Sequence, residues 1–117
     1  MNKTSKEDFK YFVKHCNVYI DRLSLRDWRY IFEHEDHPDS YAWVRPDAES
    51  KQAVVGLSPD WGSTKVTKEM LHYCARHEVL HVLLADLNNV GKLRQSTDQD
   101  FSMAQHAVIR RLENSWK

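Results

Sequence analysis

The chain has 117 residues, of which 41% are hydrophobic, and its 17 basic and 17 acidic side chains give a formal net charge of zero. This length predicts one domain, residues 1–117, with enough apolar side chains to build a core. The balanced charge argues against a nucleic-acid or anionic-membrane partner, and no uncharged apolar run is long enough to cross a bilayer.

Two features of the sequence predict the cellular compartment. Residues 1–8 are polar and lack the apolar stretch of a secretory signal. The only cysteines, Cys16 and Cys74, are too few for the disulfide framework of a small secreted domain. Together these features predict a cytoplasmic protein with free thiols.

Residues 5–23 are predicted to form the first helix. Ser5 is a candidate N-cap, and Asp8 stands at the position that completes a capping box. Apolar side chains then recur with the i, i+3, i+4, i+7 spacing of one helix face. These side chains are Phe9, Phe12, Val13, Cys16, Tyr19, Ile20 and Leu23. We therefore expect this helix to pack one face against a core.

Three strands are predicted next, over residues 28–35, 41–45 and 52–58. The first alternates in character, with Trp28, Tyr30 and Phe32 on one face of the strand. Turn residues, including Pro, Asp and Ser, separate the three segments. Because the connections are short, we expect an antiparallel meander in which each strand pairs with the next.

A second helix is predicted over residues 66–88, and it carries an H-E-x-x-H sequence from His77 to His81. Thr67 is its candidate N-cap, and no Gly or Pro interrupts residues 70–87. Two histidines at i and i+4 lie on the same helix face and can bind one metal ion. Glu78 flanks the metal position, where a general base for a bound water is needed.

The remaining chain is predicted to be a polar loop over residues 89–100 and a last helix from Phe101 to about Trp116. The order of elements is therefore helix, three strands, helix, helix. This order predicts an α+β fold in which a small antiparallel sheet packs against helices.

A catalytic zinc ion usually takes three protein ligands and leaves a fourth position for water. His77 and His81 provide two ligands, so the third must come from another part of the chain. The metzincin pattern requires Gly three residues and His six residues after the second motif histidine. This chain has Leu84 and Leu87 at those positions, so the metzincin pattern is excluded.

Five residues are candidates for the third ligand: Asp86, Asp98, Asp100, His106 and Glu113. Asp86 follows the motif by five residues and faces away from the metal position on a helix. Asp98 and Asp100, on the predicted loop, stay open as ligands. His106 is favoured, because a last helix that folds back antiparallel would bring it to the metal. Glu113 is the reserve ligand, or a carboxylate that supports one of the ligands.

Two segments of the chain resemble those of zincins, and in particular the very small zincin-like proteins common in phage and bacterial genomes. The run from His77 to Leu84 matches the pattern H-E-x-L-H-x-L-L. The run from His106 to Glu113 is similar to E-x-x-V-x-R-L-E. The gluzincin pattern has a Glu as third ligand, where this chain has His106. The resemblance implies a zincin-like fold, a bound zinc ion and peptidase activity.

The mechanism expected of such a site is hydrolysis of a peptide bond by a zinc-bound water. Glu78 accepts the proton of this water and returns it to the leaving amine. Arg110 and Tyr73 are candidate donors to the developing oxyanion. The resemblance also implies an edge strand above the metal that holds an extended substrate, and residues 52–58 are our candidate for it.

Two alternatives to a peptidase remain open at this point. The first is a metal-binding regulatory or interaction module that keeps the zincin fold without peptidase activity, motivated by the small size of the chain. The second is a small α+β binding domain that uses its Trp and Tyr side chains and carries the motif by coincidence. Glu78 favours hydrolysis, since a purely structural metal site has no need of a general base.

Overall fold

The computed structural model describes residues 2–37 and 39–85, together with Ser102, His106, Ile109, Arg110 and Glu113. The elements in chain order are β1 (Asn2–Lys3), α1 (Lys6–Arg22), β2 (Arg29–Glu33), β3 (Ala42–Asp47), β4 (Gln52–Leu57), β5 (Asp60–Gly62) and α2 (Lys68–Leu83). The predicted α+β class is confirmed. The predicted loop over residues 89–100 and most of the predicted last helix lie outside the described residues.

Both helices begin at the predicted caps. The Ser5 hydroxyl accepts from the Asp8 backbone N–H at 3.0 Å, and Asp8 accepts from the Ser5 backbone N–H at 2.8 Å. In α2, the Thr67 hydroxyl accepts from the backbone N–H of Met70 at 3.1 Å. Each cap satisfies backbone donors that the first helical turn leaves without partners. Neither of these helices has the length and apolar content that a membrane crossing needs.

The sheet order corrects the prediction of an antiparallel meander. The three-stranded sheet has the order β2-β4-β3, so β4 is the central strand. β2 pairs with β4 in parallel, while β3 pairs with β4 in antiparallel orientation. Consecutive strands β2 and β3 are therefore not neighbours, and β3 acts as part of the crossover between two parallel strands.

Burial and one proline explain this order. β4 is the most buried strand, and Ala53, Val55 and Leu57 are completely inaccessible to solvent. β3 carries Pro46 and is exposed over its second half. Proline has no N–H, so a strand that contains it is suited to the edge of a sheet and not to its centre. The meander would have placed β3 in the centre.

A second small sheet was not predicted. β1 pairs with β5 in antiparallel orientation and joins the start of the chain to the segment after β4. Thr4 strengthens this junction, since its N–H donates to Pro59 O at 2.8 Å and its hydroxyl donates to Ser58 O at 2.9 Å. The same hydroxyl contacts His34 Nε2 at 2.7 Å. This contact ties the segment after β2 to the junction.

The core lies between the sheet and the two helices. α1 contributes Phe12, Cys16 and Ile20, all completely buried, which belong to the apolar face predicted for the first helix. α2 contributes Ala75 and Val79, which are also completely buried. The long axis of α2 is thereby held against α1 and the sheet, so side chains on its remaining face have defined positions.

Gly56 of β4 lies directly beneath the indole ring of Trp43 on the neighbouring strand β3. A Cβ atom added at Gly56 would overlap the Trp43 ring. We expect Gly56→Ala to lower the free energy of unfolding by about 1–3 kcal/mol, since the ring must leave its position. Urea denaturation measures this loss. The same substitution in a Trp43→Ala background should cost clearly less, and an equal cost would contradict steric overlap as the cause.

Candidate metal centre

The H-E-x-x-H sequence lies on α2, as predicted. Because α2 ends at Leu83 and not at the predicted residue 88, the motif is in the last part of the helix and not in its middle. The centroids of the His77 and His81 rings are 5.0 Å apart, one helical turn along the same face. Glu78, between them in sequence, is only 8% exposed. Because α2 is packed on its opposite face, the two imidazoles extend toward the segment that carries His106.

His106 lies beside both motif histidines. Its ring centroid is 4.9 Å from that of His81 and 6.1 Å from that of His77. Ile109 explains this placement, since it is completely buried and packs with Leu80 and Leu84. Ile109 is three residues after His106, and all the described residues of this segment have helical backbone.

The three histidines together form a candidate tridentate metal site. One ligand nitrogen from each of His77, His81 and His106 lies within 4.8 Å of the other two. Nitrogens bound to one tetrahedral zinc ion are roughly 3.3 Å apart, as follows from Zn–N bonds of about 2.0–2.1 Å. Small side-chain rotations would close that difference. The predicted set of three histidines is therefore brought together in the fold.

Glu113 contacts His77 and does not belong to the group of three close ligand atoms. Its Oε1 atom lies 3.4 Å from His77 Nδ1, and the residue is 5% exposed. If Nδ1 carries the proton and donates to Glu113, the lone pair of Nε2 is available for a metal ion. Oε2 of Glu113 is buried and has no hydrogen-bond partner among the described residues.

Burial strongly perturbs the carboxyl group of Glu78. Desolvation, and secondly the negative charge of Glu113, raises the pKa of Glu78 to about 8. Two carboxyl groups are thus buried beside three histidines. Burying a carboxylate without a compensating cation is unfavourable, and a bound divalent cation would favour the charged form. The donor set therefore fits a divalent metal ion.

A cleft runs between α2 and the edge strand β3 at this site. Its volume is about 370 Å³. Its walls include His77, Glu78 and His81 on the helix side. On the strand side they are Ser40, Ala42, Trp43, Val44 and Pro46, with Ala85 at one end. The cleft is the space from which a substrate would reach His77, Glu78 and His81.

The position of the cleft corrects the predicted substrate strand. Residues 52–58 were expected to be the exposed edge beside the metal. Residues 52–57 form the central strand β4, which pairs on both sides and has no free edge. β3 borders the cleft instead. The sequence contained an indication of this in Pro46, because proline favours an edge strand.

The remaining side chains considered for the site differ in where they lie relative to the three histidines. Tyr73 is 40% exposed, its ring lies 5.7 Å from that of His77, and it lines a side recess of the cleft together with Tyr41 and Cys74. Burial raises the pKa of Cys74 to about 12, so its thiol stays protonated. Arg110 is exposed. Three predicted candidates lie outside the described residues: Asp86, Asp98 and Asp100.

Comparisons with protein-family models, with curated proteins and with solved structures give no match.

From the contact between Glu113 and His77 we predict a measurable effect on zinc affinity. Glu113→Gln keeps the shape of the side chain but removes the charge that holds the Nδ1 proton of His77. We expect zinc affinity to fall about 10- to 100-fold, the usual effect of losing a carboxylate that supports a histidine ligand. Competition with a chromophoric chelator measures it. An unchanged affinity would show that the contact has no part in metal binding.

Proposed function

We propose that the protein is a zinc-dependent metallopeptidase of the zincin-like type. The observation that carries this proposal is the convergence of His77, His81 and His106. His77, His81 and the buried Glu78 also line a cleft that is open to substrate. The helix-borne motif and the third histidine from a later helical segment also fit the gluzincin resemblance. His106 in place of a Glu changes the ligand type and keeps the number of ligands.

The ligand set favours zinc over calcium or magnesium. Three imidazole nitrogens suit zinc, whereas the two hard cations prefer oxygen ligands. When bound, zinc supplies Lewis-acid polarisation of a carbonyl and lowers the pKa of water to about 7. His77, His81 and His106 would hold the ion, and Glu113 would orient His77 through its Nδ1 proton.

Glu78 is the proposed general base and acid. Its carboxylate accepts a proton from the attacking water, whose oxygen forms a bond to the substrate carbonyl carbon. Glu78 then donates this proton to the amide nitrogen, and the carbon–nitrogen bond breaks to release the amine. Burial of Glu78 excludes competing solvent from the carboxyl group and strengthens its interaction with the charges around it.

The first test combines metal content with peptide hydrolysis. Untagged protein should bind one zinc per chain and release fluorescent fragments from fluorescein-labelled casein. Absence of bound zinc in the presence of excess metal would overturn the metal site itself. One zinc per chain with no cleavage of casein or of a random decapeptide mixture would favour a metal-binding module without peptidase activity.

A further inference from the structure

Register and proline chemistry together determine which backbone groups of β3 face the cleft. Antiparallel strands alternate between pairs that bond to each other and pairs whose N–H and C=O groups point outward. Tyr41 O accepts from the Ser58 N–H at 2.8 Å, so Tyr41 bonds toward β4, and Pro46, five residues later in a continuous register, belongs to the outward kind. The missing N–H of Pro46 agrees with this. Ala42 and Val44 lie four and two residues before Pro46, so they form pairs of the same outward kind. Their N–H and C=O groups therefore also point away from β4.

This outward edge is short because both of its ends are closed. Before Ala42, the Ser40 N–H donates to His37 O at 3.2 Å and Ser40 O accepts from the Ser58 hydroxyl at 2.6 Å. Ser40 therefore cannot extend the edge. At the other end, Pro46 offers only its C=O group. In the part of the chain that the structure describes, β3 has no strand partner other than β4.

The zincin resemblance implies that the edge strand beside the metal pairs with an extended substrate. We propose that in this chain only Ala42 and Val44 can pair fully with such a segment, and that Pro46 ends the pairing. This inference rests on the proposed peptidase function and adds what kind of segment the enzyme recognises. The outward edge from Ala42 to Pro46 spans five residues of β3, which corresponds to roughly 13 Å of extended chain. Substrates are therefore short, locally unfolded segments, bound more firmly at the Ala42 end of the cleft than at the Pro46 end.

The direction of the bound segment does not change this asymmetry. A parallel or an antiparallel segment finds both a donor and an acceptor at Ala42 and at Val44, and only an acceptor at Pro46. A substrate carbonyl that lies opposite Pro46 has no backbone donor from β3. One restored hydrogen bond would strengthen binding by about 2- to 10-fold.

Backbone substitutions in a non-cleaving Glu78→Gln parent test the proposal, with fluorescein-labelled casein as the probe and fluorescence anisotropy as the readout. Val44→Pro removes the outward N–H but keeps the apolar bulk and the bonds to β4. We expect it to weaken casein binding by about 10-fold or more, since the substrate carbonyl then loses its partner. Val44→Ala is the matched control, because it keeps the N–H and removes side-chain atoms.

Pro46→Ala should have the opposite effect on casein binding. Pro46 is exposed, so this variant should fold normally, and it restores an N–H at the end of the edge. We expect casein binding to become about 2- to 10-fold tighter. Circular dichroism and thermal unfolding of each variant establish that the fold is retained.

The outcomes separate this inference from the proposed function. No casein binding by the parent, equal binding by Val44→Pro and Val44→Ala, or no gain with Pro46→Ala would each overturn the edge proposal. Cleavage of casein by the zinc-loaded wild type would then still support the peptidase. Conversely, both expected changes in binding without any cleavage would keep the edge proposal and remove the peptidase.

Discussion

Glu78→Gln should reduce kcat/KM for casein hydrolysis by about 10²- to 10⁴-fold, the range that a positioned general base contributes. The substitution keeps the size and hydrogen-bonding shape of the side chain and removes its ability to accept a proton. Glu78 does not need to be a metal ligand, so the variant should still bind one zinc per chain. The loss should fall mainly on kcat, because the side chain acts in the chemical step.

Glu69→Gln is the matched control for this substitution. Glu69 lies in the exposed first turn of α2 and does not line the cleft. We expect its activity and zinc content to equal those of the wild type. If Glu78→Gln retained activity within about threefold of the wild type, well short of the effect of a general base, Glu78 would not be the base. Loss of zinc from Glu78→Gln would instead indicate that Glu78 helps to hold the metal.

His106→Ala should weaken zinc binding by at least about 100-fold. Removing a group that only supports a ligand costs about 10- to 100-fold, so removing a ligand should cost no less. The difference should also appear in thermal unfolding. Zinc at about 100 times the wild-type Kd stabilises the folded state by about 2.7 kcal/mol, which corresponds to a rise in Tm on the order of 10 °C.

The same zinc concentration should raise the Tm of His106→Ala by only about 2 °C, since zinc would then be close to the Kd of the variant. His72→Ala is the control, because His72 lies on α2 but packs against Tyr19 of α1, away from the three histidines. Its zinc-induced rise in Tm should match the wild type. An undiminished rise in His106→Ala would exclude His106 as a ligand.

Helices and the motif were predictable because their determinants are local. Ser5 and Thr67 begin the two helices at the predicted positions. His77 and His81 share a face through the i, i+4 spacing alone. The choice of His106 needed a further assumption, that the last segment folds back on α2. The described residues agree with it because Ile109 packs against Leu80 and Leu84.

Strand order was not predictable from the short connections, because pairing between strands depends on contacts that are distant in sequence. The prediction of a meander paired each strand with the next strand in the chain. Burial of β4 and the missing N–H of Pro46 decided the arrangement instead. The pairing of β1 with β5 was missed for the same reason, since strands of two and three residues have no periodicity to detect.

By itself, the sequence determined the α+β class, the starts of α1 and α2, and the shared helix face of His77 and His81, since these depend on residues within one or two helical turns. Only the tertiary structure decided that Glu113 contacts His77 and that β3, not β4, borders the cleft. Those relations join side chains and strands that are far apart in the chain. They are set by core packing, which selects one arrangement among several with the same local patterns.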